Sequence, residues 1–163
     1  MKVGSRDPER TRQKILAAAT EEFSRYGLGG ARVDRIAARA GANKRMLYYY
    51  FRHKDNLFLA ALERCYSDIR AAERGLELEH LEPRRALRRL VEFTWDYFLA
   101  HPEFMTLLNS ENLHKGRHVR RSRSVPEMHM PLVETLRSVL RRGEDAPAVA
   151  HRIPPVHSMP SSL

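Results

Sequence analysis

Residues 33–51 read VDRIAARAGANKRMLYYYF, and this stretch decides the fold. Val33, Ile36, Ala37 and Ala40 recur at the period of a short amphipathic helix. Gly41 follows, suited to the left-handed residue that closes such a helix. Asn43 is a candidate side-chain cap for a second helix over residues 44–51, in which Leu47 and Phe51 are spaced to face inward. Two short helices joined by Gly-Ala-Asn predict a helix-turn-helix.

Outward from that core, residues 11–26 form an amphipathic helix with Ile15, Ala19 and Phe23 at i, i+4 and i+8, and Gly27, Gly29 and Gly30 end it. Downstream, Leu57, Phe58, Ala61, Leu62 and Cys65 mark a long helix from near residue 54 into the 70s. Pro83 and Pro102 sit where a first-turn proline starts a helix, which predicts helices over 83–100 and 102–113. A break is expected over 116–126, because KGRHVRRSRS is basic and poor in apolar residues; it reads as a loop or a frayed helix end. A last helix is expected over 128–142, carrying Leu132, Val133, Leu136, Val139 and Leu140. From Gly143 the sequence GEDAPAVAHRIPPVHSMPSSL has no helical stripe and reads as a disordered tail. The expected fold is all-α: a three-helix head at 1–55, a helical body at 56–142 and a Pro-rich tail at 143–163.

With 163 residues and 42% apolar content the chain can bury one continuous core. No apolar run reaches the ~18 residues of a membrane-spanning helix, and MKVGSRDPERTRQK lacks the apolar stretch of a signal peptide, so the expected location is the cytoplasm. Cys65 is the single cysteine, which excludes an intrachain disulfide and reads as a packing residue. The net charge of +9 is concentrated at the front: residues 1–55 hold 13 Lys and Arg against 6 Asp and Glu, the remainder 16 against 14. A basic head on a near-neutral body fits a polyanion partner; a solvated basic face is the competing reading, and charge alone does not separate them. No nucleophile elbow, phosphate loop, HExxH or paired-cysteine motif supports an enzyme, and nothing calls for a cofactor or metal. His114 and His118 lie at i, i+4 like a metal pair, but without an evident third ligand in a basic segment they read as a solvated face.

The first helix TRQKILAAATEEFSRYG, the second VDRIAARAG, the third NKRMLYYYF and the opening HKDNLF of the fourth together resemble the TetR (tetracycline-repressor) family of transcriptional regulators. The resemblance is close over residues 11–62 and looser over 83–142, where HPEF at 101–104 is similar to some members. It implies a homodimer that reads a palindromic double-stranded operator, the third helix entering the major groove, until a small-molecule inducer in the body releases it. Lys44 and Arg45 add charge to the positive end of that helix, with Arg45 the leading candidate for base readout. Tyr48, Tyr49 and Tyr50 cannot all point inward, so at least two hydroxyls face outward; Tyr49 is expected to pack on the first helix. The resemblance gives Tyr48 a DNA contact and Lys54 a phosphate. Asn43, Met46, Tyr50 and Arg32 complete the candidate DNA-binding set.

Departures from the family pattern prevent any borrowing of operator sequence. Arg45-Met46 stands where many members have Gly-Thr, and Tyr50 where many have His. Ala31-Arg32 replaces the usual Thr or Ser before the second helix, removing a cap worth ~1 kcal/mol. For an inducer pocket the candidates are Phe93, Trp95, Tyr97, Phe98, Phe104 and Met105, most of which read first as ordinary core. The abrupt end of helical pattern near 143 leaves two expectations: a shortened regulator with weakened dimerisation, or a divergent member whose interface uses other helices. The functional alternative to a ligand-responsive repressor is therefore a helical interaction or small-molecule-binding module whose DNA head is ineffective.

Overall fold

The computed structural model describes residues 7–144. These form seven α-helices and two short 3-10 turns: α1 Pro8–Gly30, α2 Val33–Arg39, α3 Lys44–Phe51, α4 Lys54–Arg74, a turn at Leu78–His80, α5 Pro83–Ala100, α6 Pro102–Leu113, a turn at Val119–Arg121, and α7 Ser124–Glu144. Beyond Glu144 the expected tail lies outside the described residues.

Helix α1 begins three residues before the expected start, because Asp7 accepts a hydrogen bond from the Glu9 amide and Pro8 occupies the first turn, where a missing N–H costs nothing. At Gly27, φ +63 breaks the helical run. A side chain there would be strained, and the carbonyl of Gly27 instead accepts from Ala31 to turn the chain toward α2. Gly41, φ +62, does the same between α2 and α3, as its position predicts.

One apolar core runs through both halves of the chain. Ile15, Leu16, Ala19 and Phe23 of α1, Ile36 and Ala37 of α2, Leu47 and Phe51 of α3, Leu57, Phe58, Ala61 and Leu62 of α4, and Phe104 and Leu107 of α6 are all buried in it. The core therefore crosses the expected head-to-body boundary at residue 55. Phe23 meets Phe58 edge to face, centroids 5.1 Å apart. A smaller cluster of Leu78, Ala86 and Val139, with Leu81, Leu90 and Leu132 around it, ties α5 and α7 together at the far end.

The segment expected as a loose basic break is ordered by one buried carboxylate. Glu111 accepts hydrogen bonds from the amides of His118 (2.8 Å) and Val119 (2.9 Å) and pairs with His118 Nδ1 at 2.5 Å. His118 is 2% exposed and packs edge to face on Phe58, so the expectation of a solvated histidine face fails there. Helix α7 then starts at Ser124 and not at 128. Ser122 caps it by accepting from the Val125 amide, while Ser122 and Ser124 both donate to Glu63 of α4. Pro126 falls in the first turn, where it removes no helical bond, whereas Pro131 is internal and removes one.

Cys65 is buried, and burial pushes its thiol up to about 12, with Asp68 and Glu103 adding to the shift. At pH 8 the native chain should react with iodoacetamide at least roughly a hundredfold more slowly than the chain in denaturant, because the thiolate is the nucleophile. Equal native and denatured labelling rates, followed by intact mass, would contradict this packing.

Candidate nucleic-acid interface

Burial of a charge on the apolar stripe of α1 fixes the helix-turn-helix in place. Glu22 follows Ile15 and Ala18 at helical spacing and is 1% exposed. Its Oε1 accepts from the Arg32 amide (2.9 Å), from Arg35 Nε (2.7 Å), and pairs with Arg35 Nη2 at 2.5 Å. The Arg32 amide opens α2, so Glu22 binds the backbone at the point where a capping side chain is missing from Arg32 itself. Arg35 also stacks over the Tyr26 ring, 4.3 Å from its centroid, and donates to the Gly30 carbonyl. Burial alone would raise the Glu22 carboxyl; the hydrogen bonds from Arg35 and Arg32 and the charges of Arg35 and Arg39 outweigh it and hold the group below the ordinary carboxylate range.

Helix α3 is presented from the other side. Leu47 and Phe51 sink into the core, Arg12 of α1 lies over the Phe51 ring at 5.5 Å, and the Asn43 side chain accepts from the Met46 amide at 2.8 Å. Asn43 is thus engaged as the cap that the sequence predicts. Lys44 is paired with Asp34 of α2 at 2.5 Å, an exposed contact of small energetic weight that a phosphate could replace. Arg45 is exposed at the helix N-terminus, where no acidic residue stands in the first turn. Among the described residues its guanidinium makes no ion pair or hydrogen bond within 4 Å. Met46 is partly buried beside it.

The tyrosines are distributed differently from the expectation. Tyr49, expected to pack inward, is 78% exposed, because it lies diametrically away from the Leu47 and Phe51 face. Tyr50 is the one packed against the core, and it meets Tyr49 edge to face at 5.2 Å. Tyr48 is 45% exposed, in keeping with its assignment to the outer face. Arg52 closes α3 in the left-handed region, φ +61, and its side chain is exposed next to exposed His53. Neither was a candidate, since a cation after the last inward residue carries no motif of its own. Lys54 opens α4 and donates to the Gly29 carbonyl at 3.5 Å, which places it beside the turn that leads to Arg32. Arg32 itself is exposed.

In the body most of the aromatic candidates belong to the core, the reading favoured for them over a pocket. Phe104 is buried core, and Phe93, Tyr97 and Phe98 pack against that core. Met105 is partly buried, while Trp95 points outward at 67% exposure. None of the six lines the cavity of about 390 Å³ that lies between the end of α4, the Leu78–His80 turn and α7. Its most buried charged residues are Arg70 and Glu73, which no motif marked; Arg74, Glu77, Glu79 and His80, all exposed, and Thr135 also line it. The signal available was positional: Glu73 takes the next place on the stripe Leu62, Cys65, Ile69, where an apolar residue belongs. Among the described residues no cluster of three His, Cys, Asp or Glu is arranged to hold a metal ion, and no helix is long and apolar enough to cross a membrane.

A three-helix head whose third helix presents an arginine and tyrosines to solvent, continuous with a helical body, defines a helix-turn-helix DNA-binding regulator. Residues 15–61 match the domain of bacterial regulatory proteins of the tetR family, and residues 83–160 match the tetracyclin repressor-like C-terminal domain. The chain is 42% identical to the HTH-type transcriptional repressor NicS of Pseudomonas putida over 87% of its own length and 67% of that protein. It is 39% identical to the HTH-type transcriptional repressor SCO4008 of Streptomyces coelicolor over 70% of its length and 56% of that protein. The crystal structure of a transcriptional regulator, SCO4942 of Streptomyces coelicolor, superposes with a TM-score of 0.59 at 32% identity, covering 82% of this chain and 66% of that one. The chain belongs to the TetR family of DNA-binding transcriptional regulators. This membership favours the regulator over the reading as a module with an ineffective head.

Glu22→Ala should lower the unfolding free energy by about 2 kcal/mol, from loss of buried hydrogen bonds and an unpaired arginine. Because the folded carboxyl titrates below its unfolded value, its contribution is present above the unfolded pKa and lost as pH falls through the folded one. Denaturant titrations from pH 6 to pH 3 should therefore show wild-type stability falling more steeply than that of Glu22→Gln. Parallel pH profiles would contradict the assignment.

Proposed function

We propose that this chain represses transcription as a homodimer on a palindromic operator in the cytoplasm and is released by a small molecule held in its helical body. The observation that carries the reading is the outer face of α3: Arg45, Tyr48 and Tyr49 are exposed on a helix whose opposite face is anchored by Leu47 and Phe51. An arginine at the start of such a helix can reach guanine edges bidentately in the major groove. Lys44, freed from Asp34, Lys54 and Arg32 flank it as phosphate contacts, with Asn43 and Met46 setting the start of the helix. Tyr50 acts by packing, which leaves Tyr48 and Tyr49 to meet backbone or base. Residues 1–55 serve as the reading head and 56–142 as the regulatory body.

Helix α4 connects the two roles. It carries Lys54 in its first turn and Arg70 and Glu73 near its end, roughly 24 and 28 Å away at 1.5 Å per residue. A ligand that moved the end of α4 would move Lys54 and the packed head with it. For dimerisation, α5 offers an exposed apolar ridge of Leu87, Val91, Trp95 and Leu99. Since Trp95 is the single tryptophan, its emission should shift to shorter wavelength as concentration rises if this ridge is buried between copies. An unchanged emission across a dimerisation measured by sedimentation would remove α5 from the interface.

Selection of duplexes from a random pool should enrich palindromes with half-site centres about one helical turn, ~10 bp, apart. On the selected site, Arg45→Ala should weaken binding by about 1–3 kcal/mol and relax preference at one base pair per half-site, while Lys54→Ala should weaken all sequences alike and reduce the salt slope by about 1. Absence of salt-dependent binding to any duplex at low ionic strength would overturn the repressor reading.

A further inference from the structure

We propose that the cavity at the end of α4 takes a neutral cyclic amide, a lactam or pyridone-type ring, whose N–H donates to Glu73 and whose adjacent C=O accepts from Arg70. The inference rests on the ligand-responsive reading above and adds the chemistry of the ligand.

Glu73 is 7% exposed and Arg70 is largely buried beside it. Arg70 Nη1 and Glu73 Oε2 lie 2.9 Å apart, but off the line that a hydrogen bond needs. Arg70 Nε, Arg70 Nη1 and Glu73 Oε2 are consequently buried polar atoms without a protein hydrogen-bond partner among the described residues. Such atoms are costly unless something bonds them. The only other buried side-chain atom of this kind among the described residues is Glu22 Oε2, whose carboxylate already bonds α2 through Oε1.

The pair selects among ligand charges. A carboxylate ligand would suit Arg70 but set a second negative charge against Glu73, and an ammonium would reverse the conflict. Arg70 and Glu73, the most buried charged residues of the lining, already neutralise each other, while Arg74, Glu77, Glu79 and His80 beside them are exposed to solvent. What is missing is one acceptor for the guanidinium and one donor for the carboxylate, side by side. A cis amide edge presents that arrangement, with donor and acceptor on neighbouring atoms. The cavity volume of about 390 Å³ is in the range of small-molecule sites, and Leu78, Met128, Pro131 and Leu132 give it apolar walls for the faces of a ring. Burial pushes the Glu73 carboxyl up, against the opposing charge of Arg70, so a donor from the ligand would strengthen the charged form that burial disfavours.

The test uses the full chain and three compounds of similar shape: quinolin-2(1H)-one, its N-methyl derivative, and 1-naphthoate. Calorimetric titration reads binding, and anisotropy of a bound duplex reads DNA release separately. The expected result is saturable binding of the quinolinone, with the N-methyl compound and naphthoate weaker by at least roughly tenfold, the effect of losing a hydrogen bond in a buried site. The Arg70→Met, Glu73→Leu double variant exchanges the pair for apolar residues and should stay folded by circular dichroism but lose the preference. Leu132→Trp, which narrows the cavity and leaves the pair in place, should lose quinolinone binding. The proposal is overturned if the wild type does not bind the quinolinone, if the N-methyl compound or naphthoate binds as tightly, or if either variant retains the preference. Naphthoate binding with DNA release would sink the ligand class and leave the ligand-responsive reading standing; quinolinone binding without DNA release would do the reverse.

Discussion

Phe23 of α1 meets Phe58 of α4 edge to face, and this contact lies where the DNA-reading head joins the body. Around it α1 is buried on more than one side: Ile36, Leu47 and Phe51 reach it from α2 and α3, Leu57 and Leu62 from α4, and Phe104 and Leu107 from α6. A helix that supplies core to both halves cannot shift against one without disturbing the other, since close-packed interiors have few voids to absorb a displacement. The head is therefore held by the same apolar burial that folds the body, and the position of α3 follows from it.

Two buried carboxylates sharpen that arrangement. Glu22 takes the backbone amide of Arg32, just before α2, and the guanidinium of Arg35, fixing the angle at which α2 and hence α3 leave α1. Glu111 gathers the amides of His118 and Val119 and the imidazole of His118, which seats the α6–α7 connection on Phe58. His118 Nε2 in turn lies 3.9 Å from Asp55 in the first turn of α4, next to Lys54. The connection in the body that looks least structured in sequence thus touches the start of the helix that anchors the head.

The helix-turn-helix was legible because its signals are local. Apolar spacing, a glycine with positive φ at 41 and an asparagine cap at 43 each act within a few residues, and α2 and α3 fall where they indicate. What sequence reasoning missed depends on contacts between distant segments. KGRHVRRSRS reads as loose until Glu111 and Glu63 are seen to bind it. The choice of Tyr50 over Tyr49 as the packed ring turns on how α3 sits against α1, which spacing alone does not set. Aromatic content drew attention to α5, yet the cavity lies between the end of α4, the Leu78–His80 turn and α7, and its buried carboxylate, Glu73, stands on an apolar stripe. Glu22 and Glu73 share that signature; Glu22 is bonded to α2 through Oε1, whereas Glu73 makes no side-chain hydrogen bond among the described residues and faces Arg70 at 2.9 Å.

If head and body share one core, they should open together. Native-state amide hydrogen exchange of the full chain, followed across increasing denaturant, measures this most directly. The account predicts that the slowest amides of α1, α3, α4 and α6 converge on a single opening free energy with the same denaturant dependence. Exchange of residues 8–51 as a separate unit, with a lower free energy and smaller denaturant slope than α4 and α6, would contradict it.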